Sequence, residues 1–352
     1  MAPPASWLCA PLGCSKVPAA LAPPLVSGRF SSPLTPHRGT PWEKRSYQLM
    51  RALLVHNPTA GTKGHDKGSI IDALRLAGIK VDYVSAKDDD LKRALKHACD
   101  VVVAAGGDGT IGYVFTHLAD RSIPIGILPL GSANNVARSL GIAGTPAELA
   151  EQWRGGHAHS FHLVEVAYGR DKRALCAEGF GVGLMAALIK RRAKGRKVDG
   201  ADDILRGRRA LTALTSDAEP LDLQVNIDGK PWKDDLISVD VLNIPFTGPA
   251  LPLAHDADPG DTLLEVIGFE SNRRDELIEW IKSPREDAPP VSARRGEQIE
   301  IRWRNADSRL DDEVAKGEPD WRQALIRCDP VPLRILVPAK HPAVKNSANN
   351  EE

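Results

Sequence analysis

The stretch Val101-Val102-Val103-Ala104-Ala105-Gly106-Gly107-Asp108-Gly109-Thr110 decides how the rest of the chain is read. Five small or β-branched apolar residues in a row predict a strand covered on both faces, as in a parallel sheet. The glycines predict a tight turn, and a helix is expected from Ile111. Successive glycines let backbone N–H groups approach a phosphate, and a helix N-terminus favours the negative charge. An Asp inside such a turn fits a site where a cation or a proton transfer needs it. That points to phosphoryl transfer with Mg²⁺ rather than plain anion docking. The plainer alternative is that Asp108 only shapes the turn.

Working outward, residues 52–56 predict a strand closed by Asn57-Pro58, 69–77 a helix, 80–84 a strand and 91–98 a helix. Residues 125–128 predict a strand and 136–140 a helix. This alternation means a parallel sheet with crossover helices. Thr145-Pro146-Ala147-Glu148 has the form of a capping box with Pro at the first helical position. Beyond it strands dominate, at 163–167, 174–177, 221–227, 237–242, 263–269, 299–303 and 333–337, with a helix at 274–281. The expected fold is an α/β, three-layer, parallel-sheet nucleotide-binding domain over 50–150, then a mostly antiparallel β-sandwich over 151–340. A disordered leader at 1–49 and a tail at 341–352 flank them.

Composition narrows the function. The 352 residues carry 46 Lys+Arg and 46 Asp+Glu, and a neutral chain is no general polyanion binder, so no nucleic-acid partner is expected. At 42% hydrophobic it can bury a sizeable core. No run approaches the roughly 18 apolar residues of a spanning helix. The leader has five basic residues against Glu43 alone and is rich in proline, which spoils an amphipathic transit helix. It reads as a tail, with Met50 an alternative start. Five scattered cysteines without a CxxC pair predict a reducing, cytoplasmic setting.

Gly107, Gly109 and Gly112 also satisfy G-x-G-x-x-G, but no acid occurs between Arg121 and Ala147 to meet a ribose. No G-x-x-x-x-G-K-[ST] occurs either. Two further polar loops follow strands, Asn57-Pro58-Thr59-Ala60-Gly61 and Pro129-Leu130-Gly131-Ser132-Ala133-Asn134-Asn135. Three such loops at strand carboxyl ends would line one crevice. In this order they resemble the diacylglycerol kinase catalytic-domain family, whose pattern is N-P-x-x-G, G-G-D-G-T, P-L-G-T-x-N-D and then a β-sandwich. The likeness covers roughly 51–338.

The resemblance implies ATP between the domains, Mg²⁺, and a phosphoryl group moved to a lipid hydroxyl, diacylglycerol-like or sphingoid, at a membrane surface. It puts Asn57, Pro58, Thr59, Ala60 and Gly61 beside the nucleotide, with Ser85 as a further contact. Gly106 to Thr110 (Gly106, Gly107, Asp108, Gly109, Thr110) would hold the phosphates, with Gly131, Ser132 and Asn134 on the other side. Asp108 would organise the metal. Lys316-Gly317-Glu318 stands where the family has D-G-E, making Glu318 the general base, with Asp311, Asp312 and Glu313 as alternatives upstream. Asn135 replaces the Asp of the N-D pair. Asp261 is the one survivor of an acidic pair that holds a structural metal in some members.

Residues 190–209 carry nine basic residues against three acids, a local charge suited to anionic lipid headgroups at about 1 kcal/mol per residue, or simply a solvated helix face. Peripheral contact with an inner membrane face through this stretch is the corresponding expectation. A homodimer is compatible with the sequence. His157, His159 and His162 lack a completing ligand and read as structural, and 177–187 is rich in small residues that either line a lipid entrance or allow close strand–helix packing. Two other functions compete: a catalytically weakened nucleotide- or lipid-binding module, and a kinase of a soluble nucleotide such as NAD.

Overall fold

The structure, a computed structural model, describes residues 50–60, 66–97, 99–153, 157–169, 172–194, 200–285 and 289–338. The leader, the tail and Gly61 lie outside these residues, and the described part belongs to one compact unit.

Continuous apolar runs become the buried strands of a mainly parallel sheet. In chain order its elements are β1 (Met50–His56), α1 (Lys67–Leu76), β2 (Ile79–Ser85), α2 (Leu91–Ala94), β3 (Val101–Gly106), α3 (Asp108–His117) and β4 (Ile125–Pro129). Then follow α4 (Asn135–Ser139), α5 (Pro146–Trp153) and β5 (Ala158–Phe161). All six residues of β3 are buried, since helices cover both faces. Asp66 caps α1 by accepting from the Ser69 N–H at 3.0 Å. The capping box forms as expected: Glu148 accepts from the Thr145 N–H at 2.7 Å while the Glu148 N–H reaches Thr145 Oγ1 at 3.3 Å.

The sheet order is β2-β1-β3-β4, then the strand Leu333–Leu336, then β5. The last strand among the described residues thus returns to lie parallel to β4 and antiparallel to β5. Phe115, Phe161 and Ile335 are fully buried in the core that results.

The C-terminal part holds two six-stranded, mostly antiparallel sheets. One contains β6 (Val164–Tyr168), β7 (Lys172–Cys176) and the strands Leu223–Ile227, Ile299–Trp303 and Arg322–Cys328. The other contains β8 (Gly179–Val182), Leu236–Leu242, Leu264–Glu270 and the hairpin of Ser308–Leu310 with Glu313–Ala315. Val166, Ile301, Trp303 and Ile326 from the first sheet meet Phe180, Val239, Val241 and Val266 from the second, forming the sandwich core.

Helices cover the outer face of the second sheet: α6 (Leu184–Ala193), α7 (Gly200–Ser216) and Arg274–Lys282. Helix α7 has no strong sequence signal, because the residues it buries at four-residue spacing are Asp203, Gly207, Leu211 and Thr215, only one of them a large apolar residue. Arg322–Cys328 also escapes the sequence reading, although Ala324, Ile326 and Cys328 alternate inward. No helix among the described residues is long and apolar enough to cross a membrane.

Because the closing strand lies between β4 and β5 and its Ile335 is fully buried, Ile335→Ala should cost about 2–5 kcal/mol. Urea unfolding would measure it, and a loss under about 1 kcal/mol would mean that the strand is peripheral to the core.

Candidate active site

The loops after β1, β3 and β4 meet at the carboxyl end of the first sheet. Helix α3 starts at Asp108 itself, three residues earlier than the sequence predicts, with Gly107 as its extended cap. A carboxylate in the first turn suits the positive end of the helix. Glycine is required where the loops touch: a Cβ on Gly131 would stand 2.6 Å from the Gly107 Cα and 2.8 Å from Asn134 Oδ1. Asn134 is left-handed, at φ 49°. Its side chain closes the loop, accepting from the Gly131 N–H at 2.8 Å and donating to the Gly131 carbonyl at 2.9 Å. Asn57 ties the first loop to the turn through an Nδ2 bond to Thr110 Oγ1 at 3.3 Å.

Above these loops lies a cavity of about 740 Å³, lined by Asn57, Thr59, Ala60, Gly107, Gly109, Thr110, Gly131 and Ser132. Its opposite wall is Ile189, Arg192 and Ala193 of α6 with Asp203 and Arg206 of α7. A second cavity of about 170 Å³ adjoins it and is walled by Asp108, Asn135, Glu178, Met185, Leu188, Thr247 and Arg309. Ser132, Ile189, Arg192, Asp203 and Asp312 border both.

The smaller cavity concentrates carboxyl groups. Asp108 Oδ1 accepts from the Val136 N–H at 3.1 Å, and burial pushes its carboxyl up to about 6 despite that bond. Burial raises the Glu178 carboxyl well above its ordinary range, and Asp108, Asp312 and Asp311 add to the effect. Asp311, left-handed at φ 48°, accepts from the N–H groups of Ala177, Glu178 and Gly179 at 2.8, 2.8 and 3.1 Å. Buried Arg309 answers this charge only in part, since its Nε donates to Asp240 at 2.7 Å and its Nη2 to Thr247 at 3.1 Å.

The residues named from the sequence divide into two groups. Asn57, Thr59, Ala60, Gly107, Gly109, Thr110, Gly131 and Ser132 share the larger cavity, and Asp108 lines the smaller. Asn134 and Gly106 shape the loops from behind, while Pro58 and Ser85 are outside both walls. Glu318 is exposed, pairs with Arg322 at 2.8 Å and lines neither cavity. Of the alternatives, Asp312 faces both cavities. Asp261 pairs with Arg295 at 3.0 Å, away from the cleft. No group of three or more His, Cys, Asp or Glu among the described residues is arranged to hold a metal ion. His159 faces Asp258 and His162 donates to the Asp329 carbonyl, so the histidines separate.

Much of the 190–209 charge turns inward. Lys190 pairs with Asp307, Arg192 and Arg206 with Asp203, and Arg208 bonds the Pro249 and Ala250 carbonyls. Arg196 and Lys197 lie outside the described residues. Sequence reasoning missed Glu178, whose only local signal is an acid between two small residues.

A parallel sheet whose glycine loops face a carboxylate-lined cleft at the carboxyl ends of its strands is the place where open α/β proteins bind ligands. Residues 51–166 match the family model described as the diacylglycerol kinase catalytic domain. A diacylglycerol kinase of Mycobacterium tuberculosis is 25% identical over 311 residues, 84% of this chain and 97% of that protein. A Stenotrophomonas maltophilia protein named "Probable lipid kinase YegS-like" is 27% identical, covering 82% and 96%. A Bacillus anthracis diacylglycerol kinase crystal structure superposes with a TM-score of 0.64 at 19% identity, covering 85% of this chain and 99% of that one. These relatives support a lipid kinase at the level of the family.

Asp108 binds its proton more tightly folded than unfolded, so its contribution to stability is present at low pH and is lost as pH rises from about 4 through about 6. Asp108→Asn should therefore melt a few degrees above the ligand-free parent near pH 7.5 and level with it near pH 4. Melting curves across that range would check this, and a pH-independent difference would refute it.

Proposed function

We propose that the protein is a kinase that moves the γ-phosphoryl group of ATP to a lipid hydroxyl with the help of Mg²⁺. The observation that carries this reading is the junction of the two cavities at Asp312 and Ser132. The larger has glycine loops suited to phosphates and a volume in the usual range for ligand sites. The smaller has buried carboxylates beside the apolar side chains of Met185 and Leu188.

The residues fit a magnesium ion. Asp108 and Glu178 bring hard oxygens to the wall of one small cavity, Arg309 there is bound to Asp240 and Thr247, and the buried Asn135 Oδ1 has no partner. Mg²⁺ commonly takes only one or two carboxylates, with phosphates and water completing its shell. When bound, the ion neutralises charge on the transferring phosphoryl group.

The chain's own groups do the rest. The Gly107–Gly131 approach keeps side chains off the phosphate side. Arg192 and Arg206, held by Asp203, present guanidinium groups to the same cavity, where they balance phosphate charge. Asp312 receives the proton of the acceptor hydroxyl as that oxygen bonds to the γ-phosphorus and the bond to the ADP oxygen breaks. Contact with a lipid surface falls to the charges of 190–209 that are exposed and not used in the cleft, Arg191, Lys194 and Arg209.

Labelled ATP with a panel of diacylglycerol, sphingoid and ceramide vesicles tests the reading. Label should enter the organic phase, Asp108→Asn should remove nearly all of it, and Asp312→Asn should slow turnover about 10²- to 10⁴-fold. Glu318→Gln should stay within a few-fold of the parent. Intact nucleotide binding without lipid labelling would reject the kinase, and label in a water-soluble product would redirect it to a soluble acceptor.

A further inference from the structure

The buried pair Asn135 and Glu178 is held in place from two sides. Asn135 is 3% exposed and opens α4; Glu178 is 7% exposed and sits between β7 and β8. The Asn135 Nδ2 donates to the Gly248 carbonyl at 3.1 Å and faces both Glu178 oxygens at 3.5 Å. Its Oδ1 is buried in the wall of the smaller cavity without a hydrogen-bond partner. Asp311 grips the Glu178 backbone N–H from the opposite side.

A buried carboxylate ordinarily has a cationic partner or strong donors. Glu178 has a long amide contact, while the nearby Arg309 guanidinium is committed to Asp240, Thr247 and the Asp311 carbonyl. Asp108 lines the same cavity. Two acids and an unpartnered amide oxygen around one small space are arranged to receive positive charge. A purely structural Glu178 would leave the unpaired Asn135 oxygen unexplained.

We infer that Glu178 supplies, beside Asp108, the second carboxylate for the divalent cation that accompanies the nucleotide, standing in from the C-terminal sheets for the acid that position 135 lacks. This rests on the kinase reading. It also explains why Asn135 is neutral: an acid there would set two carboxylates within about 3.5 Å of each other, and like charges so close resist ionising together. One negative charge serves the spot, and this chain carries it at 178 instead of 135.

The swap is testable without turnover. Full-length protein is titrated with Mg²⁺ at a fixed concentration of the β,γ-imido analogue of ATP carrying an N-methylanthraniloyl fluorophore, and the Mg²⁺ midpoint is read from the melting temperature and from the fluorescence of that group. Glu178→Gln should raise that midpoint about tenfold or more. The double variant Asn135→Asp with Glu178→Gln should return it to within about threefold of the parent. Asn135→Asp alone, with both acids present, should lower the midpoint several-fold and destabilise the metal-free protein; this reading decides the matter if Glu178→Gln does not fold. An unmoved midpoint in Glu178→Gln, or a double variant no better than it, overturns the assignment. A parent protein that binds no nucleotide at any Mg²⁺ concentration overturns the kinase reading and this inference with it.

Discussion

Three successive backbone N–H groups, those of Ala177, Glu178 and Gly179, point at one carboxylate, that of Asp311. This contact pins the hairpin after Ser308–Leu310 against the turn into β8. Three groups on the C-terminal side of the cleft take their position from it: Asp312 is the next residue, Arg309 lies two before, and Glu178 is held by its own backbone. A carboxylate with three N–H donors is well solvated by protein, which is how Asp311 tolerates burial that still raises its proton affinity. The opposite wall is fixed in another way, by backbone contact between Gly107 and Gly131. One side of the cleft is thus held by charge and the other by close steric fit.

The site brings more acid together than it balances. Asp108, Glu178 and Asp311 are all pushed toward their neutral forms by burial, and the nearest buried guanidinium is shared with Asp240. Such an arrangement costs stability in the ligand-free protein and returns it when positive charge arrives. Stability and function are therefore coupled in this cleft.

The first sheet was legible because its signals are local. Unbroken apolar runs mark parallel strands, and the Gly-Asp-Gly and Asn-Pro identities mark loops whose chemistry depends on a few adjacent residues. The capping box at Thr145 and Glu148 formed for the same reason. The C-terminal half of the site was not legible, since its contacts join residues far apart: Asn135 meets Glu178 across 43 positions and Ala177 meets Asp311 across 134. Glu318 looked suitable by its neighbours in sequence, yet the fold turns it outward to Arg322, while Asp312 on the preceding hairpin turn faces the cleft. Helix α7 hid because it buries Asp203, Gly207 and Thr215 rather than an apolar stripe, and that buried Asp is what holds Arg192 and Arg206 toward the cavity.

The strand Leu333–Leu336, placed between β4 and β5, bears on how the protein is made. During synthesis β4 leaves the ribosome long before its neighbour does, so one edge of the first sheet waits unpaired through the translation of both antiparallel sheets. Unpaired edges invite pairing with other chains, and a contact spanning this much sequence forms slowly. The two halves therefore cannot mature as independent modules: the α/β layer is completed only by residues 333–336, which are translated after both antiparallel sheets.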